Sequence, residues 1–358
     1  MISDARVVLA CVGLHPERSA ALVERFGSAD AVVAALGAGR ISAPPQLREA
    51  ASVTAGEWRR RLSAARCTIL GSDDSGYPSW LSALPGAPDA IFVKGSVPEL
   101  PGVAVVGTRT PTAYGLRLAE HFGAALSVAG WPVVSGLARG IDAAAHRGGL
   151  YGPTPGAAVL GSGIDLWYPA GNRRLGEDLL DAGGAIVSEY PPGIRPEPWR
   201  FPLRNRIISG LAVAVVVVEA RSDGGALITA RYGLEQGREV LALPGDIDRE
   251  TSVGCNLLIR DGALPVLGAD DLVEALSLLT SAPPPAGGDT DTDPVVRLAG
   301  PVGRPLDWMA TALGWPISDL LTRVTQLELQ GRVRRHADLV VATCVNAEAS
   351  QGGDQGAP

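Results

Sequence analysis

The sequence predicts an α/β protein: a mostly parallel sheet with crossover helices, carrying small helical additions at each end. Three observations predict it. Short apolar runs recur through the middle of the chain at Val103–Val106, 132–134, Ala157–Leu160, 185–187, 212–218 and 240–243, with a weaker one at 264–267. The intervals between them are helical or glycine-rich and long enough for crossover helices. The run AVAVVVVE at 212–219 is apolar on both alternations, which is the pattern of an interior strand buried on both faces.

Taken in order, residues 1–65 read as a small helical domain of SAM or helix-hairpin-helix type. Arg6–Val12 and Ser19–Phe26 have helical periodicity, and Ser28 caps a third helix over 31–36. VGLHPERSAALVERFG loosely resembles a helix-hairpin-helix, but His15 stands where the second hairpin glycine belongs. Residues 66–280 hold the sheet, entered through strands at 67–70 and 90–95. Residues 281–295 are an acidic Pro/Gly linker, and 347–358 a small polar tail expected to be disordered. Within 296–346, two helices, a Gly-Trp-Pro turn and a hairpin describe a winged helix. Its second helix carries one cation, Arg323, against Asp319 and Glu328, which argues against a major-groove reader.

Composition bounds the function. The chain has 358 residues, 19% of them charged, and a net charge of −7. No run is long and apolar enough for a membrane helix, and the N-terminus lacks a secretory signal, so a cytoplasmic protein without a membrane partner is expected. The four cysteines, Cys11, Cys67, Cys255 and Cys344, are scattered and predict buried thiols. No metal or cofactor motif is present. Positive charge is local: residues 195–206 hold four Arg and one Glu.

In an open parallel sheet, ligands bind beyond the carboxyl ends of the strands. Those ends carry Gly107-Thr108-Arg109, then Ser135-Gly136 with Arg139-Gly140, Asp142 and His146, then Gly161-Ser162-Gly163. Glu189 and Glu219 end two further strands and are expected to anchor loop N–H groups. Small residues let a ligand approach, hydroxyls and arginines bind phosphate, and a helix N-terminus after Gly107 favours an anion. Tyr168, Trp199 and Phe201 are expected to be core residues rather than stacking platforms.

SGLARGIDAAAH (135–146), AVLGSGIDLWYPAGNRRL (158–175), SEYPPG (188–193), FPLRNRIISGL (201–211), VVEARSDGGALITA (217–230), REVLALPGD (238–246) and GCNLLIRDGA (254–263) together resemble the DprA/Smf family of DNA-processing proteins. The resemblance implies an extended Rossmann-like core with helical N-terminal and winged-helix C-terminal additions. It implies a non-catalytic homodimer that binds single-stranded DNA and helps load the RecA recombinase in recombination and natural transformation. Gly107-Thr108-Arg109 matches the family's G-S-R loop with Thr for Ser, and Arg204-Asn205-Arg206 its R-N-R motif. Asp142 and His146 are expected to orient the pocket. The alternative is a nucleotide-binding phosphoribohydrolase-like enzyme. Its P-G-G-x-G-T-x-x-E motif and catalytic Glu are absent from Ser222-Asp-Gly-Gly-Ala-Leu-Ile-Thr229. A dinucleotide oxidoreductase is disfavoured because GTRTPT is not G-x-G-x-x-G.

Overall fold

The computed structural model describes residues 2–279, 293–299, 304–336 and 339–342. The expected tail, Cys344 and most of the expected linker lie outside them. The chain begins with five short helices, α1 (Asp4–Val12), α2 (Pro16–Phe26), α3 (Ala29–Gly37), α4 (Pro45–Ser52) and α5 (Ala55–Ala64). Ser3, Ser28 and Thr54 each cap a helix by accepting from an N–H in its first turn. The entry segment follows as β1 (Thr68–Gly71), α6 (Ser79–Ser82) and β2 (Ala90–Gly95).

The core then alternates: β3 (Gly102–Val106), α7 (Ala113–Val128), β4 (Val133–Ser135), α8 (Ile141–Gly149), β5 (Ala157–Leu160), α9 (Arg173–Asp181), β6 (Ala185–Ser188), α10 (Arg200–Gly210), β7 (Ala212–Val217), α11 (Gly225–Glu235), β8 (Glu239–Ala242), α12 (Val253–Arg260), β9 (Leu264–Pro265) and α13 (Ala269–Leu279). These strands join β1 and β2 in one nine-stranded sheet, ordered β1-β2-β6-β5-β4-β3-β7-β8-β9. The pairings from β6 to β9 are parallel, while β2 runs antiparallel to both β1 and β6.

Period-two alternation assigns the two faces of the sheet. Val103 and Val105 pack with Phe122 of α7 and Ala144 of α8. Ala104 and Val106 pack with Ile207 and Ile208 of α10 and Ala226 and Ala230 of α11. The N-terminal helices do not close a core of their own. Their Val7, Val32, Leu36 and Leu62 belong to the cluster that contains Phe92, Leu160 and Ile186 of the sheet.

The Gly13–His15 turn faces the protein rather than solvent. A Cβ at Gly13 would lie 3.1 Å from Ile194, and the His15 ring stacks on Trp199 with centroids 4.7 Å apart. The turn that resembles a DNA-contacting hairpin is therefore half-buried against the sheet domain.

The winged helix comprises α14 (Pro294–Ala299), β10 (Arg304–Pro305), α15 (Leu306–Leu313), α16 (Ile317–Leu329), β11 (Val333–His336) and β12 (Leu339–Ala342). Helix α14 starts at Pro294, inside the stretch read from sequence as linker. Its Val295, Val296 and Ala299 are buried with Met309, Leu320 and Val324 in the small domain's core. Arg323, the one cation expected on α16, is bonded to Asp293.

Candidate nucleic-acid cleft

The order of the sheet reverses direction at β3. The chain leaves β3 through α7 toward β4, and leaves β7 through α11 toward β8 on the other side. Such a switch point opens a crevice beyond the strand ends. A cleft of about 590 Å³ lies there, lined by Gly107–Thr110, Phe201, Arg204 and Asn205 of α10, and Gly224–Ala226 of α11.

The Gly107–Arg109 loop is held by its own backbone. Thr108 donates its N–H to the Glu219 carbonyl at 2.7 Å, and its hydroxyl accepts from Thr110 N at 3.2 Å. The Thr108 carbonyl accepts from Ile141 N. Arg109 is exposed, and its guanidinium lies 5.2 Å from the Phe201 ring centroid. Phe201 in turn touches Tyr168, with centroids 5.6 Å apart. A cation and two rings thus form a row along the rim.

Tyr168 is 48% exposed and Trp199 37%, contrary to the expectation that they are core residues. The loop from Ser162 to Asn172 explains Tyr168. The neighbouring Trp167 takes the inward position, with its indole N–H bonded to the Ile164 carbonyl at 2.7 Å.

Most of the sequence-predicted hydroxyls and glycines serve the protein itself. Ser135 donates its hydroxyl to the Val105 carbonyl and Ser162 to the Leu166 carbonyl, each at 2.6 Å, and both residues are buried. A Cβ at Gly107 would lie 2.5 Å from Ile141, at Gly136 2.3 Å from Arg204, at Gly161 2.8 Å from Phe201, and at Gly163 2.7 Å from the Pro191 carbonyl. Gly140 combines a φ of 79° with a Cβ position 2.4 Å from the Thr108 carbonyl, so only glycine fits. At these glycines the space a side chain would need is filled by the protein's own atoms, and Gly107 lines the cleft with its backbone.

The arginines separate in the same way. Arg204 is buried, and its Nη1 donates to the carbonyls of Gly136, at 2.8 Å, and Val159. Burial pushes its pKa down to about 10, so it stays charged at neutral pH; the nearby Asp142 charge opposes the shift. Asp142 accepts from the N–H groups of Gly136 at 3.1 Å and Ala138 at 3.4 Å, which fixes the loop after β4. Burial raises its pKa, and the charge of Arg204 counteracts that. His146, one turn further along α8, is fully enclosed, and burial holds its pKa down at about 4, so it is neutral.

Arg206 is not brought to this cleft. Two residues along a helix is about 200° of rotation, and Arg206 instead faces Glu189, to which it is paired at 2.6 Å. Glu189 is therefore an ion-pair partner rather than the expected anchor of loop N–H groups. Arg139 is exposed but does not line the cleft. Asn205 does line it, and its amide donates to the Gly225 carbonyl at 3.2 Å.

Glu219 is the strand-end anchor its position predicts. It accepts from Thr112 N at 2.9 Å and from the Thr112 hydroxyl at 2.5 Å. Thr112 caps α7, so a carboxylate already occupies the helix end that the sequence offered to a phosphate. The open end belongs to α11. Its N-cap is Gly224, no side chain caps it, and a Cβ at Gly225 would meet nothing. The sequence places Gly224-Gly225 in the segment after the central strand, but the site predicted from sequence left them out, although Asp-Gly-Gly before a helix is a usable signal of an open helix start.

Comparison with known proteins places the fold in a family. Residues 68–277 match the DNA recombination-mediator protein A family, and 279–338 match the DprA winged helix domain. The chain is 40% identical over 276 residues to protein Smf of Escherichia coli, covering 74% of each. DNA processing protein A of Streptococcus pneumoniae, solved by X-ray, aligns with a TM-score of 0.64 at 32% identity, over 76% of this chain and 98% of that one. DNA processing protein A of Helicobacter pylori, whose structure concerns its single-stranded DNA binding mode, aligns with a TM-score of 0.53 over 60% of this chain and 96% of that one; at 23% identity it shares the fold. With a family match spanning the whole sheet and a second covering most of the winged helix, this chain belongs to the DNA recombination-mediator protein A family, DprA/Smf.

Proposed function

We propose that this protein holds single-stranded DNA in the cleft between β3 and β7 without altering it chemically, and presents the strand to a RecA recombinase. Family membership gives the broader role, in DNA processing and recombination. One observation carries the finer reading: Arg109, exposed and stacked on Phe201, edges a cleft whose far wall is the uncapped start of α11. A guanidinium and free helix amides suit phosphates, and exposed Tyr168 beside Phe201 gives a base a face to stack on. None of these contacts reads a base edge, so binding is independent of sequence. The Helicobacter relative is described as binding single-stranded DNA, which supports the same ligand here.

A non-catalytic role is supported by the engagement of the titratable groups at the cleft. The Asp142 carboxylate accepts from loop amides, His146 is enclosed and neutral, and Glu219 caps α7.

The protein acts as a homodimer in the cytoplasm, in recombination and natural transformation. The far edge of the sheet supports dimerisation. Among the described residues no strand lies beyond β9, and Leu264, Leu267 and the nearby Ile247 are 41%, 77% and 92% exposed.

The test is a titration of labelled single-stranded and duplex oligonucleotides with the wild type and Arg109→Ala. Preference for the single strand, lost by at least tenfold in the variant, is expected. Equal affinity in both proteins would place the site elsewhere, and a duplex preference would shift it to the winged helix.

A further inference from the structure

A second cleft, of about 710 Å³, opens beside the first, and Tyr168 and Pro196 line both. Its cations come from four separate stretches of chain. Arg66 lies in the turn after α5, Lys94 near the end of β2, Arg173 at the start of α9, and Arg195 in the loop after β6. Two carboxylates lie among them, and both are engaged. Glu177 pairs with Arg173 at 3.1 Å, and Asp165 accepts from Gly193 N at 2.8 Å. Arg66, Lys94 and Arg195 have no ion-pair partner among the described residues. The Lys94 ammonium lies 5.7 Å from the centroid of the Trp167 ring.

Three unpaired cations converging from unrelated segments repel one another, and a chain with net charge −7 has carboxylates to spare for pairing them. The arrangement is that of a groove for a polyanion. Its position beyond the Arg109–Phe201–Tyr168 row fixes which polyanion fits. A flexible strand leaving the first cleft past Tyr168 enters the second cleft directly.

We infer that the single strand continues across Tyr168 into this second cleft, where its phosphates meet Arg66, Lys94 and Arg195. This inference rests on the reading of the first cleft given above. Thymidine homopolymers of 4 to 12 nucleotides, labelled at one end and followed by fluorescence anisotropy, test it with the full chain. The variants are Arg66→Gln/Lys94→Gln/Arg195→Gln and Arg109→Ala; each changes exposed or half-buried side chains, so folding is preserved.

Wild-type affinity is expected to rise with length. The triple variant is expected to match it on the shortest strand and to fall about tenfold behind on the longest. Its salt slope there is expected to be shallower by about 2, at about 0.7 per lost phosphate contact. A triple variant that follows the wild type at every length overturns the second cleft, as does one weakened equally at all lengths. Arg109→Ala separates the two readings. If it weakens every length while the triple variant weakens none, the first cleft stands and the second falls. If it weakens none, the first reading fails and this one with it.

Discussion

Two helices begin at the same end of the sheet, on either side of the point where its strand order reverses, and they are finished in opposite ways. Helix α7 follows β3 and is closed: Thr112 caps it, and the Glu219 carboxylate sits on Thr112. Helix α11 follows β7 and is open, with glycine at its cap and no side chain over its amides. The arginines show the same division. Arg204 is buried and spends its donors on the Gly136 and Val159 carbonyls, whereas Arg109 is exposed and rests on an aromatic ring. Identical chemical groups thus split into a set that builds the cleft and a set that faces into it. Residue type does not distinguish them; the partner each already has does.

The largest expected effect comes from breaking the building set. Arg204→Met strands two carbonyls and removes the cation nearest the buried Asp142. It should lower stability by about 3 kcal/mol, read as a shifted urea midpoint, with DNA binding lost along with the loop. A stable variant that still binds DNA would show that Arg204 does not hold the cleft together.

The enclosed His146 gives a pH signature of similar size. Its folded pKa, about 4, lies below its ordinary 6.5. The unfolded chain therefore takes up a proton first as pH falls. Stability attributable to this group is complete above about pH 6.5 and declines toward pH 4, by about 1.4 kcal/mol per pH unit at most. Denaturation of wild type and His146→Gln across that range should show the slope in the first and a shallower one in the second; parallel curves would contradict it.

The facing set should respond in affinity with little change in stability. Tyr168→Ala removes an exposed ring and is expected to weaken single-strand binding by about 1–3 kcal/mol, the range for one stacked base. Unchanged affinity would restrict Tyr168 to lining the seam between the clefts. The smallest and sharpest change copies one helix end onto the other. Gly225→Asp gives α11 an anion in its first turn, as Glu219 gives α7. It is expected to stabilise the helix by about 0.5 kcal/mol and yet weaken DNA binding several-fold. A variant that binds DNA as well as the wild type would remove the α11 terminus from the site.

The strands were legible because apolar runs such as VAVV and AVAVVVVE recur between crossover-length segments, and the winged helix because its turn is marked by Gly-Trp-Pro. The site was legible only as a neighbourhood. Gly136 and Gly161 announce that something approaches closely, but not that it is Arg204 and Phe201 of the same chain. The separation of Arg204 from Arg206 was available in principle, since two positions along a helix face apart; it required FPLRNRIISG to be read as helical. Phe201 beneath Arg109 carried no local signal, because 92 positions separate them and only the fold joins them. Helix α14 was hidden by the Pro and acidic residues before it, which read as linker until the small domain's core is seen to enclose Val295 and Val296.

The claim that the open face of this cleft holds the phosphates of a single strand is tested most directly by salt. Affinity for a single-stranded oligonucleotide, measured from low to high salt, should fall with a slope of about −0.7 for each phosphate engaged. Arg109→Ala should make that slope shallower by about 0.7 and weaken binding at low salt. An unchanged slope and affinity in Arg109→Ala would contradict the account.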